Sequence, residues 1–254
     1  MVSFKFFNPY FAFLAIFLLA FIQASHAEDE TFTQEFIRKN NDVITRLTRQ
    51  NPYFVGIADG TIKDSAFIRD IIQSHHWFTL WARSAGYALT KAPVPPRKDW
   101  NLGNVAPEFF IDLIAGAINN TQSISTYLKS LALKHNFDIY GEPASAAIKA
   151  DGDYMINVAK KLPLEAWLAE NWVGFRFTRE AYSIAQESVK KNGYQYAFQD
   201  YIDLFSDPSM KTAADQLEFL INAIYKSKKS NKKLAFKVLR QHLENDYAVY
   251  EDDL

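Results

Sequence analysis

Asn51-Pro52-Tyr53-Phe54-Val55-Gly56-Ile57-Ala58-Asp59-Gly60-Thr61-Ile62 leads into an aromatic stretch that runs from Asp64 to Lys91. Gly56–Thr61 has the glycine, aspartate and threonine of a turn. Beyond it Phe67, Ile71, Phe78, Trp81 and Ala85 fall on one stripe at helical spacing, which predicts a long helix with a buried face. Pro93-Val94-Pro95-Pro96 ends that helix, because consecutive prolines cannot continue it, and 98–105 follows as a loop. A helix over 33–49 precedes the turn. Further helices are expected over 107–134, 144–161, 164–190, 194–206, 208–226 and 232–250, with Asn192-Gly193 and Ser206-Asp207-Pro208 as turns between them. Strand-like alternation is missing, so the expected class is all-α.

The chain has 254 residues, 48% hydrophobic and 22% charged, enough for one domain with a full core. A net charge of -1 gives no electrostatic case for nucleic acid or acidic membranes. The basic run 226–233 reads as a solvated turn between helices. There is no cysteine, which excludes a disulfide framework, a thiolate nucleophile and zinc-thiolate or iron–sulfur chemistry. Residues 1–27 read as a signal peptide: Lys5, an apolar run over 11–22, then Ser25-His26-Ala27 before an acidic start. The helical domain is therefore taken as 28–254, exported to a periplasmic or extracellular space and free of the membrane after cleavage. Removing Lys5 from 28 basic side chains leaves 27 against 29 acidic ones.

The Asn51–Ala92 stretch resembles the first signature block of the TenA/thiaminase II (TENA/THI-4/PQQC) family. The likeness returns at Tyr196-Ala197-Phe198-Gln199-Asp200-Tyr201-Ile202-Asp203-Leu204-Phe205-Ser206-Asp207 and, more weakly, at His242-Leu243-Glu244-Asn245-Asp246-Tyr247. The resemblance implies a heme-oxygenase-like single-domain bundle of seven or eight helices around a central pocket. Family enzymes grip an aminopyrimidine with an aspartate that aligns here with Ser74, and stack it on an aromatic that aligns with Trp77. Their thiolate aligns near Phe177, and a tyrosine one turn later falls near Ala181, beside Tyr182. A pocket tyrosine on the Tyr201–Asp207 segment aligns with Phe205, and the proton-donating glutamate with Glu244. Ring shape is thus kept and polar handles are lost, which disfavours a polar heterocycle by about 1–3 kcal/mol per lost partner.

Carboxylates remain as substitutes. Glu170 shares a stripe with Gly174, Phe177, Ala181 and Ile184 and points toward the space of the missing thiolate, so Glu244 and Glu170 form a candidate acid/base pair. The alternative is that Glu170 and Glu180 pair with Arg176 and Arg179 on solvated faces. His75 and His76 diverge by about 100° and cannot share an ion; with His135 and His242 in no better setting, neither metal nor cofactor is expected. The binding residues expected are Ser74, Trp77, Phe177, Tyr182, Tyr201 and Phe205. Two functions stand open. One is a TenA-like hydrolase acting on a C–N bond of a thiamin-derived aminopyrimidine or related amine. The other is a non-catalytic binding or interaction protein on the same scaffold. Either takes a small aromatic or heterocyclic ligand as partner, and family analogy implies a homo-oligomer.

Overall fold

The computed structural model describes residues 30–91, 107–227 and 231–254. The expected signal segment, and the 98–105 loop with Trp100, lie outside them. Ten α-helical segments and one π-helical turn make up the described chain. They are α1 (Phe32–Lys39), α2 (Asn41–Thr45), the π turn (Arg46–Gln50), α3 (Pro52–Asp59), α4 (Asp64–Leu89) and α5 (Pro107–Lys134). After these come α6 (Ala146–Lys161), α7 (Leu164–Asn192), α8 (Gln199–Ser206), α9 (Pro208–Ser227) and α10 (Lys232–Asp252). No strand occurs among the described residues, and none of the helices is long and apolar enough to cross a membrane.

Local chemistry sets the helix ends. Thr31 and Gln34 form a reciprocal capping box at the start of α1. Asn51 accepts from the Tyr53 amide with Pro52 at the first helical position, and Gly60 at φ 83° closes the same helix in the left-handed region. The first part of the expected 56–61 turn is therefore the end of the eight-residue α3. Gly193, at φ 73°, ends α7.

Two further departures from the sequence reading have visible causes. The expected 33–49 helix breaks at Asn40, whose side-chain amide donates to the Phe36 carbonyl at 2.9 Å. Its continuation widens into the π turn, which buries the adjacent Leu47 and Thr48 together. The expected 194–206 helix starts only at Gln199. Before it, the Tyr196 hydroxyl donates to the Ile57 carbonyl at 2.7 Å, and Phe198 stacks on Phe67 with centroids 5.6 Å apart. Those anchors draw the strand of chain across α3 and α4 rather than into a helix.

The long helices α4 and α7 position everything else: α4 packs on α5 and α6, while α7 packs on α3, α9 and α10. Trp172, Tyr53, Tyr182, Tyr201, Phe36, Phe67 and Phe177 are fully enclosed, so the high aromatic content fills a wide core. Where α6 crosses α4 the helices approach closely. A Cβ on Gly152 would lie 2.4 Å from Leu80 Cδ1 and 2.9 Å from Leu80 Cβ. Gly152→Val should therefore lower stability by about 1–3 kcal/mol, the usual cost of overpacking, read as a lower urea midpoint with unchanged slope. An unchanged midpoint would mean that this crossing has slack.

Candidate active site

A cavity open to solvent on one side lies between α4, α7 and α10. From α4 it is lined by Asp70, Ser74, Trp77, Phe78 and Trp81. Their spacing, near three and four residues, keeps them on one face of a helix. α7 adds Glu170, Asn171, Gly174, Phe175 and Thr178, and α10 adds His242, Asp246, Val249 and Tyr250. Phe205 of α8 and Met210 of α9 complete one side, Ile148 and Met155 of α6 the other. The Trp77 and Trp81 rings are parallel to within 11° at 6.4 Å. Phe205 lies on Tyr182 at 4.9 Å and 18°. The cavity thus has flat aromatic walls with polar groups at both ends.

One end is Asp70, which is 2% exposed. Tyr53 and Tyr182 each donate a hydroxyl to its Oδ2 at 2.6 Å, and Ser74 donates to Oδ1 at 3.3 Å. Ser74 Oγ lies 2.9 Å from the Tyr201 hydroxyl, extending the chain of hydroxyls. Burial pushes the Asp70 carboxyl up, and the surrounding Tyr and Ser donors oppose that rise. Burial likewise drives the Tyr53, Tyr182 and Tyr201 phenols upward, with the charge of Asp70 adding to it. Asp253 is tucked in nearby, 1% exposed with Oδ2 unpartnered. Burial, then the neighbouring Asp70, holds its carboxyl up at about 9.

The other end is a group of buried ionisable side chains from three helices. His242 Nδ1 lies 3.6 Å from Asp151 Oδ1 of α6 and 3.5 Å from Glu170 Oε1 of α7. Its Nε2 lies 3.6 Å from Asp246 Oδ2, one turn along α10. Gly174 makes room for the ring, since a Cβ there would sit 2.8 Å from His242 Nε2. Asp151 is oriented by the Trp77 indole N–H at 2.7 Å and the Asn245 amide at 3.1 Å. Both Glu170 oxygens, His242 Nδ1 and Asp246 Oδ2 have no hydrogen-bond partner. Burial would lower the imidazole pKa, but Asp246, Asp151 and Glu170 outweigh it and hold it at about 9. Burial raises Glu170 to about 8, with the attraction of His242 in opposition and repulsion from Asp151 and Asp246 adding to it. Asp246 rises to about 7 through burial, again opposed by His242.

Of the residues expected from sequence, the structure brings Glu170, Ser74, Trp77 and Phe205 into the cavity wall. Tyr182 and Tyr201 stand behind it, packed against Phe205 and joined to the Asp70–Ser74 hydroxyl chain. Phe177 is not in the wall; it packs edge-on against Trp172 at 5.9 Å. The inward stripe of α7 is centred between Glu170 and Asn171, which leaves Phe177 on its far edge, and the residue facing the imidazole is Gly174. Glu244 is also outside. It ion-pairs with Arg46 and, at 3.6 Å, with Arg240. Two residues from both His242 and Asp246, it sits about 200° around α10 from each, so an expected Glu244–Glu170 pair does not form.

Three residues of the site went unread in the sequence, Asp70, Asp151 and Asp246, and His242 was weighed only as a metal ligand. Asp70 supplies a carboxylate one turn before Ser74, and the i,i+4 pair His242–Asp246 was the available signal on α10. His242, given no metal-like setting in the sequence reading, lies beside two carboxylates in the structure. Asp151, His242 and Asp246 each offer a ligand atom, all within 4.8 Å of one another, and they come from two helices. His75 and His76 are elsewhere, the first edge-on to Tyr140 at 5.3 Å and the second bonded to the Glu142 carbonyl.

No family model matches the sequence, and no curated protein is similar to it in sequence. Solved structures are similar in fold. A TenA homologue from Pyrococcus furiosus superposes with a TM-score of 0.75 at 16% identity, covering 88% of this chain and 100% of that one. A TenA homologue from P. horikoshii gives 0.74 at 14% identity, over 88% and 98%. A TenA homologue from Pseudomonas syringae gives 0.69 at 12%, over 87% and 92%. The chain has the all-α fold of the TenA homologues.

The buried Asp253 makes a pH prediction. Its folded pKa is raised, so its stabilising proton is fully held below the unfolded carboxylate range near ~4 and is lost as pH rises through about 9. Asp253→Asn should flatten the fall in melting temperature between pH 6 and pH 9. Parallel falls in variant and wild type would show that Asp253 ionises freely.

Proposed function

We propose that this chain is a TenA/thiaminase II-like hydrolase acting on a C–N bond of a small heterocyclic amine, of the aminopyrimidine type. The observation that carries the reading is the unpartnered Glu170 carboxylate set in the wall of an aromatic cavity. Trp77 and Phe205 hold the flat ring. Ser74, backed by Asp70 and Tyr201, offers a polar contact to the ring edge. Glu170 takes a proton from water as the water oxygen bonds to the ring-bearing carbon. The C–N bond breaks, and Glu170 returns the proton to the departing nitrogen. Water is consumed, and an alcohol and an amine are released. One carboxylate thus serves as base and then as acid, without a thiolate. The family likeness in sequence and the TenA fold support the substrate class. Export through 1–27 and self-association belong to the same reading, supported by the sequence and by analogy respectively.

The test is incubation of the protein with thiamin and aminomethyl-pyrimidines, following the released amine by mass spectrometry. Glu170→Gln should cut turnover by about 10²–10⁴-fold, the usual worth of a positioned acid/base, while ligand binding by calorimetry persists. Glu244→Gln should turn over like wild type, because its carboxylate pairs with Arg46 outside the cavity. Binding without turnover in the wild type would mark a non-catalytic carrier instead, and absence of both would end the proposal.

A further inference from the structure

The acidic end of the cavity gathers more carboxylates than cations. Asp151, Glu170 and Asp246 are 0%, 1% and 6% exposed, and among the described residues none forms an ion pair with a lysine or arginine. The guanidinium groups of Arg46 and Arg240 are engaged with Glu244 and Asp42 instead. One imidazole faces three carboxylates. Its separations of 3.5–3.6 Å exceed a charge-assisted hydrogen bond, about 2.7–2.9 Å. Two of the carboxylates and the imidazole keep unpartnered atoms with almost no water contact. Buried groups of this kind take up a proton, pair with an opposite charge or coordinate a metal, and the unpartnered atoms here face one another across a shared space.

We propose that Asp151, His242 and Asp246 form a site for a divalent first-row cation, with Glu170 facing its open position. At a tetrahedral centre with bonds of roughly 2.1 Å, ligand atoms lie about 3.4 Å apart. The three residues bring theirs within 4.8 Å, so small side-chain rotations close the shell. Oxygen and imidazole donors without thiolate suit Zn²⁺, Mn²⁺ or Fe²⁺. The outer support is built as well. Trp77 and Asn245 donate to the two Asp151 oxygens, the kind of contact that orients a ligating carboxylate. Gly174 admits the imidazole against α7, and the cavity supplies access from the substrate side. A cation there would balance charge and hold water beside Glu170. The inference does not depend on the hydrolase reading, since the ion is bound by groups that are present whatever the organic ligand.

The experiment uses the full chain, stripped with a chelator, and no organic ligand. Titration with ZnCl₂ or MnCl₂ should show one ion per chain by calorimetry, with a raised melting temperature. Magnesium and calcium chlorides should give neither. His242→Gln and Asp246→Asn should each weaken binding by at least about tenfold, whereas Glu244→Gln, on the opposite face of α10, should bind as wild type. Should the variants not fold, electron spin-echo spectroscopy of Mn²⁺ on the wild type should show nitrogen coupling from one imidazole. Absence of saturable binding, binding insensitive to His242 and Asp246, or bound Mn²⁺ without nitrogen coupling would each overturn the site. A failed hydrolase assay would leave these readings unchanged, and loss of metal binding would leave the Glu170 assay standing.

Discussion

A carboxylate removed from water must be met by donors or by positive charge, because its desolvation costs several kcal/mol otherwise. This constraint organises both ends of the cavity. At Asp70 the answer is neutral: Tyr53 and Tyr182 give two short hydrogen bonds to one oxygen, and Ser74 serves the other. At Asp151, Glu170 and Asp246 the answer is ionic and centred on His242. The first arrangement is close to saturated, so it fixes geometry. The second leaves lone pairs open, which is where chemistry has room.

Both arrangements depend on how closely helices approach. Gly174 lets an imbedded imidazole lie against α7, and Gly152 lets α6 come down onto Leu80 of α4, bringing Asp151 near Trp77. The aromatic residues then divide into two roles. Phe36, Phe67, Trp172 and Phe177 fill the interior, while Trp77, Trp81 and Phe205 face the hollow. Packing and site are one construction, since the indole of Trp77 is at once a wall and the donor that orients Asp151.

Much of the fold was legible along the chain. The α4 stripe, the helix-ending glycines and the prolines at helix starts act locally, through backbone conformation and spacing, and they placed the long helices near their observed ends. Of the misses, one has a local cause and the other a tertiary one. Asn51-Pro52 is a helix start at which the Asn51 side chain accepts from the Tyr53 amide, although the residues after it read as a turn. Tyr196 and Phe198 stay out of α8 because partners on α3 and α4 hold them. The candidate site was half legible: Trp77, Ser74, Phe205 and Glu170, named from resemblance or periodicity, line one cavity. Glu244 did not, since a rotation of about 200° between residues two apart carried it to Arg46 and gave its place to His242 and Asp246.

The sequence by itself determined an all-α chain without thiol chemistry, with an aromatic stripe on α4 and residue-type turns between helices, because those properties arise from neighbours within a few positions. Which carboxylate faces inward, which tyrosines meet Asp70, and that Asp151 joins His242 and Asp246 were decided only in three dimensions. Those contacts join residues as far apart as Tyr53, Asp70 and Tyr182, or Asp151 and His242. Their energy comes from shared exclusion of water, which no stretch of the chain contains until the helices have packed.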